Sequence, residues 1–175
     1  LIYSDFMVLV SDRYEAKNAA TGLSEVGVPF SLSGGSVFKS DEAQDLYDLL
    51  GALIDPTDDG ALRAAARTPF FCASPSTLAA WSHAGDLRQL LLDLAELTQR
   101  VGFDKSYRQI IHQTGLRLRM RALETSERRM VNFDHLVELI SQHVANTKDL
   151  LAIRQYVAHR ITASDLQKDE YERGD

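Results

Sequence analysis

The sequence has little of the chemistry that marks secreted, membrane-spanning or disulfide-linked proteins. Its one cysteine, Cys72, cannot form an internal disulfide and has no CxxC partner, which favours a reducing cytoplasm and a role as a small buried hydrophobe. The longest uninterrupted apolar run, Phe6 to Val10, is far shorter than the roughly 20 residues that cross a bilayer. No basic region leads into an apolar stretch at the N-terminus. These absences predict a cytoplasmic protein with no membrane partner.

The motifs of nucleotide and hydrolytic chemistry are missing as well. No GxxxxGK[ST] loop is present to cradle the phosphates of ATP, and no serine lies in a GxSxG elbow. The five histidines show neither HExxH nor any other close metal-ligand spacing. We therefore predict no catalytic residue, no metal site and no cofactor within this chain.

Positive charge is scarce overall but locally concentrated. With 19 basic and 25 acidic residues the net charge is −6, which argues against a protein whose whole surface binds nucleic acid. Between residues 100 and 129, however, the sequence contains eight basic and three acidic residues. The basic residues are Arg100, Lys105, Arg108, Arg117, Arg119, Arg121, Arg128 and Arg129. This stretch fits a contact with phosphates, a solvated helix face with internal ion pairs, or an arginine-rich contact with a partner protein.

The acidic string DEAQD, Asp41 to Asp45, resembles those that hold Mg²⁺ and activate water in helicase motors. Such strings follow a buried apolar strand, whereas this one follows SVFKS and lies within a helical apolar stripe. The context predicts a helix N-terminus, capped by Ser40, where the carboxylates meet the positive end of the helix dipole. The alternative, an enzyme built on this string, would hydrolyse ATP with Mg²⁺ unaided, and we do not expect it to.

The remaining patterns predict a mostly α-helical fold preceded by a short βαβ edge. Residues 5–10 and Pro29 to Ser33 are typical of strands, and apolar positions from Ala16 to Val26 predict a helix between them that ends at Gly27. A βαβ unit normally belongs to a larger sheet, so we expect its neighbouring strands outside this chain. A composition shift near residue 36 is the predicted domain boundary.

Only helices are predicted after that boundary. They are expected over about 41–55, 58–67, 75–83, 87–101, 107–111, 133–144 and 150–161, with Asn132 capping the sixth.

Residues 33–71 resemble the entrance to the helical insertion of UvrD-like superfamily 1 DNA helicases. In that family a strand leads into a GG-x-x-F turn, then an acidic helix start, a DD-containing turn and a helix that ends in TP. The matching positions are Gly34, Gly35, Phe38, Glu42, Asp45, Asp58, Asp59, Thr68 and Pro69.

Two flanking segments extend the resemblance. Residues 5–30 look like the family's motif IV strand and helix, and residues 126–140 (SERRMVNFDHLVELI) are similar to the GERR-x-x-x-x-x-HL-x-EL signature of the exodeoxyribonuclease V beta subunit, RecB. Ser126 stands where RecB has glycine. The resemblance implies that residues 1–35 are part of a RecA-like motor lobe, with its motif IV βαβ, and that residues 36–175 are the helical insertion subdomain. The family's next landmark, TIHKSKGLE, is absent, as if the chain stops just before it.

The resemblance also implies a parent protein that unwinds duplex DNA with ATP and Mg²⁺, carries a nuclease domain, and works with RecC-like and RecD-like subunits in double-strand break repair by recombination. The motif IV arginine that reaches the γ-phosphate falls on Ser11, which cannot supply that cation. Arg13 is a candidate substitute if the strand continues, and otherwise simply begins the next helix.

This fragment is then expected to do no chemistry and to orient duplex DNA or partner subunits. DNA contacts are predicted at Gly34, Gly35, Arg117, Arg119, Arg121, Arg128 and Arg129. The alternative is a helical interaction module that docks a RecC-like subunit, with the basic stretch facing protein and not DNA.

Overall fold

A computed structural model of the chain describes residues 3–11, 13–30, 36–74, 84–121 and 126–163. Its contacts divide the chain into two compact units, Leu1–Gly35 and Ser36–Asp175. All regular secondary structure in the described residues is helical, so the mostly α-helical prediction is confirmed. None of the described helices is both long and apolar enough to cross a membrane.

The first unit contains one helix, and the predicted βαβ edge is not observed in its described residues. A 3₁₀ turn, Tyr3–Asp5, is followed by an irregular segment and then by helix α1, Arg13–Glu25. Phe6, Met7 and Leu9 of the irregular segment are exposed. A strand satisfies its backbone N–H and C=O groups only beside another strand, and no described segment pairs with this one. Of the second predicted strand, Pro29 and Phe30 are irregular and residues 31–33 lie outside the described residues.

The second unit begins with a 3₁₀ turn, Val37–Lys39, and continues with helices only. The helices are α2 (Asp41–Ile54), α3 (Asp59–Arg67), α4 (Ala84–Val101), α5 (Phe103–Thr114), α6 (Leu116–Met120), α7 (Ser126–His143) and α8 (Leu150–Thr162). The helix predicted over 75–83 lies outside the described residues.

Local sequence signals account for several helix ends. The carboxylate of Asp58 accepts hydrogen bonds from the backbone N–H groups of Gly60 (2.7 Å) and Ala61 (3.3 Å) and thereby caps α3, which ends just before Thr68-Pro69. Ser40 occupies the cap position of α2 as predicted, but its hydroxyl donates instead to the carbonyl oxygen of Val37 at 2.8 Å. The position was therefore predictable, while the hydrogen bond of the side chain was not.

Glycines bound helix α5. Gly102 has φ +92°, and a Cβ atom there would lie 2.6 Å from the hydroxyl oxygen of Thr147. Gly115 has φ +66° and ends the helix in the left-handed conformation. These two residues fix where α5 begins and ends.

The predicted cap at Asn132 is wrong, because α7 begins at Ser126 and runs through Asn132 without interruption. The side-chain amide of Asn132 donates to a carboxylate oxygen of Glu42 at 2.9 Å. Glu42 lies 90 residues from Asn132 in the sequence, so a local pattern cannot predict this hydrogen bond.

Helix α2 lies at the centre of the core and contacts α3, α4, α7 and α8. Leu46, Leu49 and Leu50 on α2 are fully buried, as the predicted apolar stripe requires. The rings of Phe70 and Phe133 meet edge to face, with centroids 5.2 Å apart, and join the end of the α3 segment to α7. The core therefore holds α7, which carries Arg128 and Arg129, against α2.

Cys72 is exposed, contrary to the prediction that it is buried. It lies in the turn that follows α3, with φ +50°, and its backbone N–H donates to the carbonyl oxygen of Thr68 at 2.8 Å. A surface turn, set by Pro69 after the end of α3, keeps this residue out of the core.

Candidate nucleic-acid interface

A buried ion cluster joins the DEAQD string to the basic stretch. The guanidinium of Arg129 donates from Nε to Glu42 and from Nη2 to Asp45, the second at 3.0 Å. Asn132 donates to the other oxygen of Glu42. The side chains of Glu42, Arg129 and Asp45 are 6%, 19% and 20% exposed, so water screens the cluster weakly. These four groups fasten α2 to α7.

One cation for two carboxylates makes the two acids titrate differently. Burial opposes ionisation of Glu42, but the hydrogen bonds from Asn132 and Arg129 and the charge of Arg129 together hold its pKa below the usual value. Burial raises the pKa of Asp45 to about 6 against the charge of Arg129, and the negative charge of Glu42 acts in the same direction as burial. Glu42 therefore keeps its charge to a lower pH than Asp45 does, and Asp45 is the member that takes up a proton first.

The DEAQD string thus begins a helix, as predicted, and two of its carboxylates are committed to an arginine. The described residues contain no group of three or more histidines, cysteines or acids arranged to hold a metal ion. What sequence reasoning missed was the partner of these acids, because Arg129 had been assigned to the DNA surface.

The arginines predicted to contact DNA fall into two groups. Arg129 is paired inside the fold, and the guanidinium of Arg119 donates to the backbone carbonyl of Phe70. Arg117, Arg121 and Arg128 are exposed and form no ion pair with any described residue. Gly34 and Gly35 lie outside the described residues.

Helix α5 presents a further set of cations to solvent. Its buried residues recur with helical spacing from Phe103 to Thr114, which leaves the opposite side exposed. We call that side the cationic face of α5; its exposed residues are Lys105, Arg108, Gln109, His112 and Gln113. The one acid of the helix, Asp104, is half-buried and accepts a hydrogen bond from the Thr147 hydroxyl at 3.1 Å. A helical wheel drawn on residues 103–114 would have found this face.

The motif IV residues lie at the start of α1. The backbone N–H of Ser11 donates to the Glu15 carboxylate at 2.9 Å, and Ser11 is exposed. Arg13 is the first residue of α1, so it does not lie on the continuing strand that would carry a substitute for the missing arginine. A contact of either residue with ATP stays a prediction.

The two ends of the described helical unit lie side by side. The ammonium of Lys39 donates to the carbonyl oxygens of Ile161 (2.7 Å) and Ala163 (2.6 Å) at the C-terminal end of α8. The guanidinium of Arg160 lies 5.1 Å from the centroid of the Phe38 ring, and Tyr156 meets the same ring edge to face. Residues 38 and 39 of the second unit therefore contact the C-terminal part of α8.

Comparison with known proteins shows similarity to the RecB subunit of the RecBCD enzyme. The chain is 28% identical over 145 residues, 81% of its length, to the RecBCD enzyme subunit RecB of Mycobacterium tuberculosis, in both the CDC 1551 and H37Rv strains. The match covers 13% of that subunit, so the chain spans about an eighth of the relatives' length. No protein-family model matches the chain. The similarity supports a RecB-like relationship.

Proposed function

We propose that this chain is part of a RecB-like subunit of an ATP-dependent DNA helicase and exonuclease that acts in double-strand break repair and recombination. The observation that carries the proposal is the similarity to RecB over 145 residues. In the parent, ATP and Mg²⁺ would be bound by other segments, since this sequence has no phosphate-binding loop.

The part described here orients duplex DNA or partner subunits and performs no chemistry by itself. The contacts of Lys39 and Phe38 with the C-terminal part of α8 support a domain inserted into a motor lobe. We infer that a unit inserted in this way swivels as a body relative to its host lobe. Its exposed Arg117, Arg121 and Arg128 are available for an anionic partner.

A DNA-binding measurement tests this function. The 175-residue chain is titrated into a fluorescently labelled blunt-ended duplex at salt concentrations from 50 to 200 mM, and anisotropy reports binding. We expect binding at 50 mM salt that weakens steeply as salt rises, because phosphate contacts release counterions. Lack of affinity at 50 mM would contradict the DNA-orienting role.

A second candidate is a helical module that docks a RecC-like subunit without touching DNA. The exposed apolar residues Leu118 (71%) and Val131 (64%) favour it, since they flank the exposed arginines in sequence and protein interfaces combine arginine with apolar side chains. Co-purification of the chain with a RecC-like subunit, lost in the Leu118→Asp and Val131→Asp variants, is the expected result for this candidate. Co-purification of the chain with a RecD-like subunit is measured in the same way. Magnesium-dependent ATP hydrolysis by the chain alone is not expected under either candidate.

A further inference from the structure

We infer that the cationic face of α5 is a binding site for the phosphates of a nucleic-acid duplex, an inference that rests on the proposed function. The face contains Lys105, Arg108 and His112, together with the side-chain amides of Gln109 and Gln113. Every one of these groups can donate a hydrogen bond to a phosphate oxygen.

The geometry of the helix places the three basic groups together. At about 100° per residue, Lys105, Arg108 and His112 lie within an arc of about 60°. At about 1.5 Å per residue they span about 10 Å along the helix axis. One strand of a duplex presents about three phosphates over that axial distance, because its rise is about 3.4 Å per nucleotide. The three groups therefore extend over about the same length as three successive phosphates of one strand.

The composition of the face selects nucleic acid over protein. Among the described residues, the large apolar side chains that are exposed include Leu118, Val131 and Leu92 but none from α5. The centre of a protein interface is enriched in aromatic residues and methionine, whereas contacts with phosphates need only cations and hydrogen-bond donors. The α5 face has the second composition, while the segment with Arg117 and Leu118 has a mixed one.

The charge on this face is not neutralised by its own helix. Asp104 is the one carboxylate on α5; it accepts a hydrogen bond from Thr147 and forms no ion pair with Lys105 or Arg108. Lys105 and Arg108 are exposed and pair with no described carboxylate, in contrast to Arg129, which is held by Glu42. In a chain of net charge −6, unpaired cations on one helix face give a localised site for an anion.

The test compares two double variants of the whole 175-residue chain with equal loss of charge. Lys105→Ala/Arg108→Ala removes two cations of the face, and Lys17→Ala/Arg67→Ala removes two exposed cations from α1 and α3. Alanine favours helix at all four positions, so the fold is expected to persist, and circular dichroism checks it. Binding of a labelled 20-base-pair duplex is measured by anisotropy between 50 and 200 mM salt.

For the α5 variant we expect the slope of log affinity against log salt to fall by about 1.8, which is about 0.9 for each lost phosphate contact. Over this fourfold change in salt, the affinity then falls about tenfold less than it does for the unaltered chain. The control variant is expected to keep the original slope.

Two results would overturn the inference in different ways. An unaltered slope in the α5 variant, with a reduced slope in Arg117→Ala/Arg121→Ala, removes the α5 site and leaves the proposed function intact. No binding of duplex by the unaltered chain at 50 mM salt removes both, and is the result expected if the face contacts an acidic protein.

Discussion

Replacing Arg129 by methionine is the sharpest test of the buried ion cluster. The change keeps the length and apolar stem of the side chain and removes the one cation between Glu42 and Asp45. Glu42, whose side chain is 6% exposed, then loses its charged partner and keeps only neutral ones, the Asn132 amide and the Ser40 hydroxyl. Removing one partner of a buried ion pair costs about 3–5 kcal/mol, because the other charge is left in a poorly solvating interior.

For this cluster we expect the lower end of that range, about 3 kcal/mol. Asp45 escapes part of the penalty, since its pKa of about 6 allows it to take up a proton at modest cost. In a domain of this size, about 1 kcal/mol shifts the midpoint of thermal unfolding by about 2–4 °C. The Arg129→Met variant should therefore unfold about 6–12 °C below the unaltered chain.

The measurement is thermal unfolding followed by circular dichroism at pH 7.5. The matched control is Arg128→Met, the same substitution at the neighbouring exposed residue, where we expect less than about 0.5 kcal/mol. Adding Glu42→Gln to Arg129→Met should recover at least about 1 kcal/mol, because it removes the uncompensated charge. Equal midpoints for the Arg129→Met and Arg128→Met variants would refute the argument, and so would a further loss on adding Glu42→Gln.

Three more perturbations follow from the same contacts. The pKa of Asp45 is raised from 3.8 to about 6, so the native state binds this proton more tightly than the unfolded state does, and the free energy of unfolding falls as pH rises from about 4 to 6. In urea unfolding across this range, Asp45→Asn should abolish that decline, which is on the order of 2 kcal/mol. A parallel decline in both proteins would contradict the prediction. Gly102→Ala should lower the free energy of unfolding in urea by at least about 2 kcal/mol, because Gly102 has a φ of +92° and lies close to the Thr147 hydroxyl. Gly85→Ala, where a Cβ atom meets open space, should cost nothing. Equal effects of the two substitutions would exclude backbone strain at Gly102. Lys39→Ala should lower the free energy of unfolding by about 1 kcal/mol in the same assay, because it leaves the end of α8 uncapped, whereas Lys148→Ala should have no effect. An unchanged midpoint for Lys39→Ala would show that the contact contributes no stability.

The structure divides the basic residues of the predicted DNA surface into an internally paired group and an exposed group. A count of basic residues between 100 and 129 treats all eight as equivalent. The structure gives Arg129 and Arg119 internal partners and leaves the cations of α5 exposed. Residues of the first group are expected to affect stability, and those of the second to affect salt-dependent binding. The two assays above separate these roles.

The sequence by itself determined the features that depend on near neighbours in the chain. The capping of α3 by Asp58, the end of α2 before Pro56 and the end of α3 before Pro69 follow from side chains and backbone groups within three residues. The buried stripe of α2 follows from the helical period, with Leu46 and Leu50 one turn apart. These signals are strong because the interacting groups are covalently held close together.

Only the tertiary structure decided which polar residues face each other across helices. Arg129 lies 87 residues from Glu42 and 84 from Asp45, and no local pattern joins them. Asn132 had the sequence context of a helix cap and instead hydrogen-bonds Glu42 in mid-helix. The absent strand at Phe6 to Val10 has the same origin, since pairing between strands, unlike a helical turn, needs a partner distant in sequence. Packing, and not residue type, distinguishes the exposed Lys105 and Arg108 from Arg129, which is paired inside the fold.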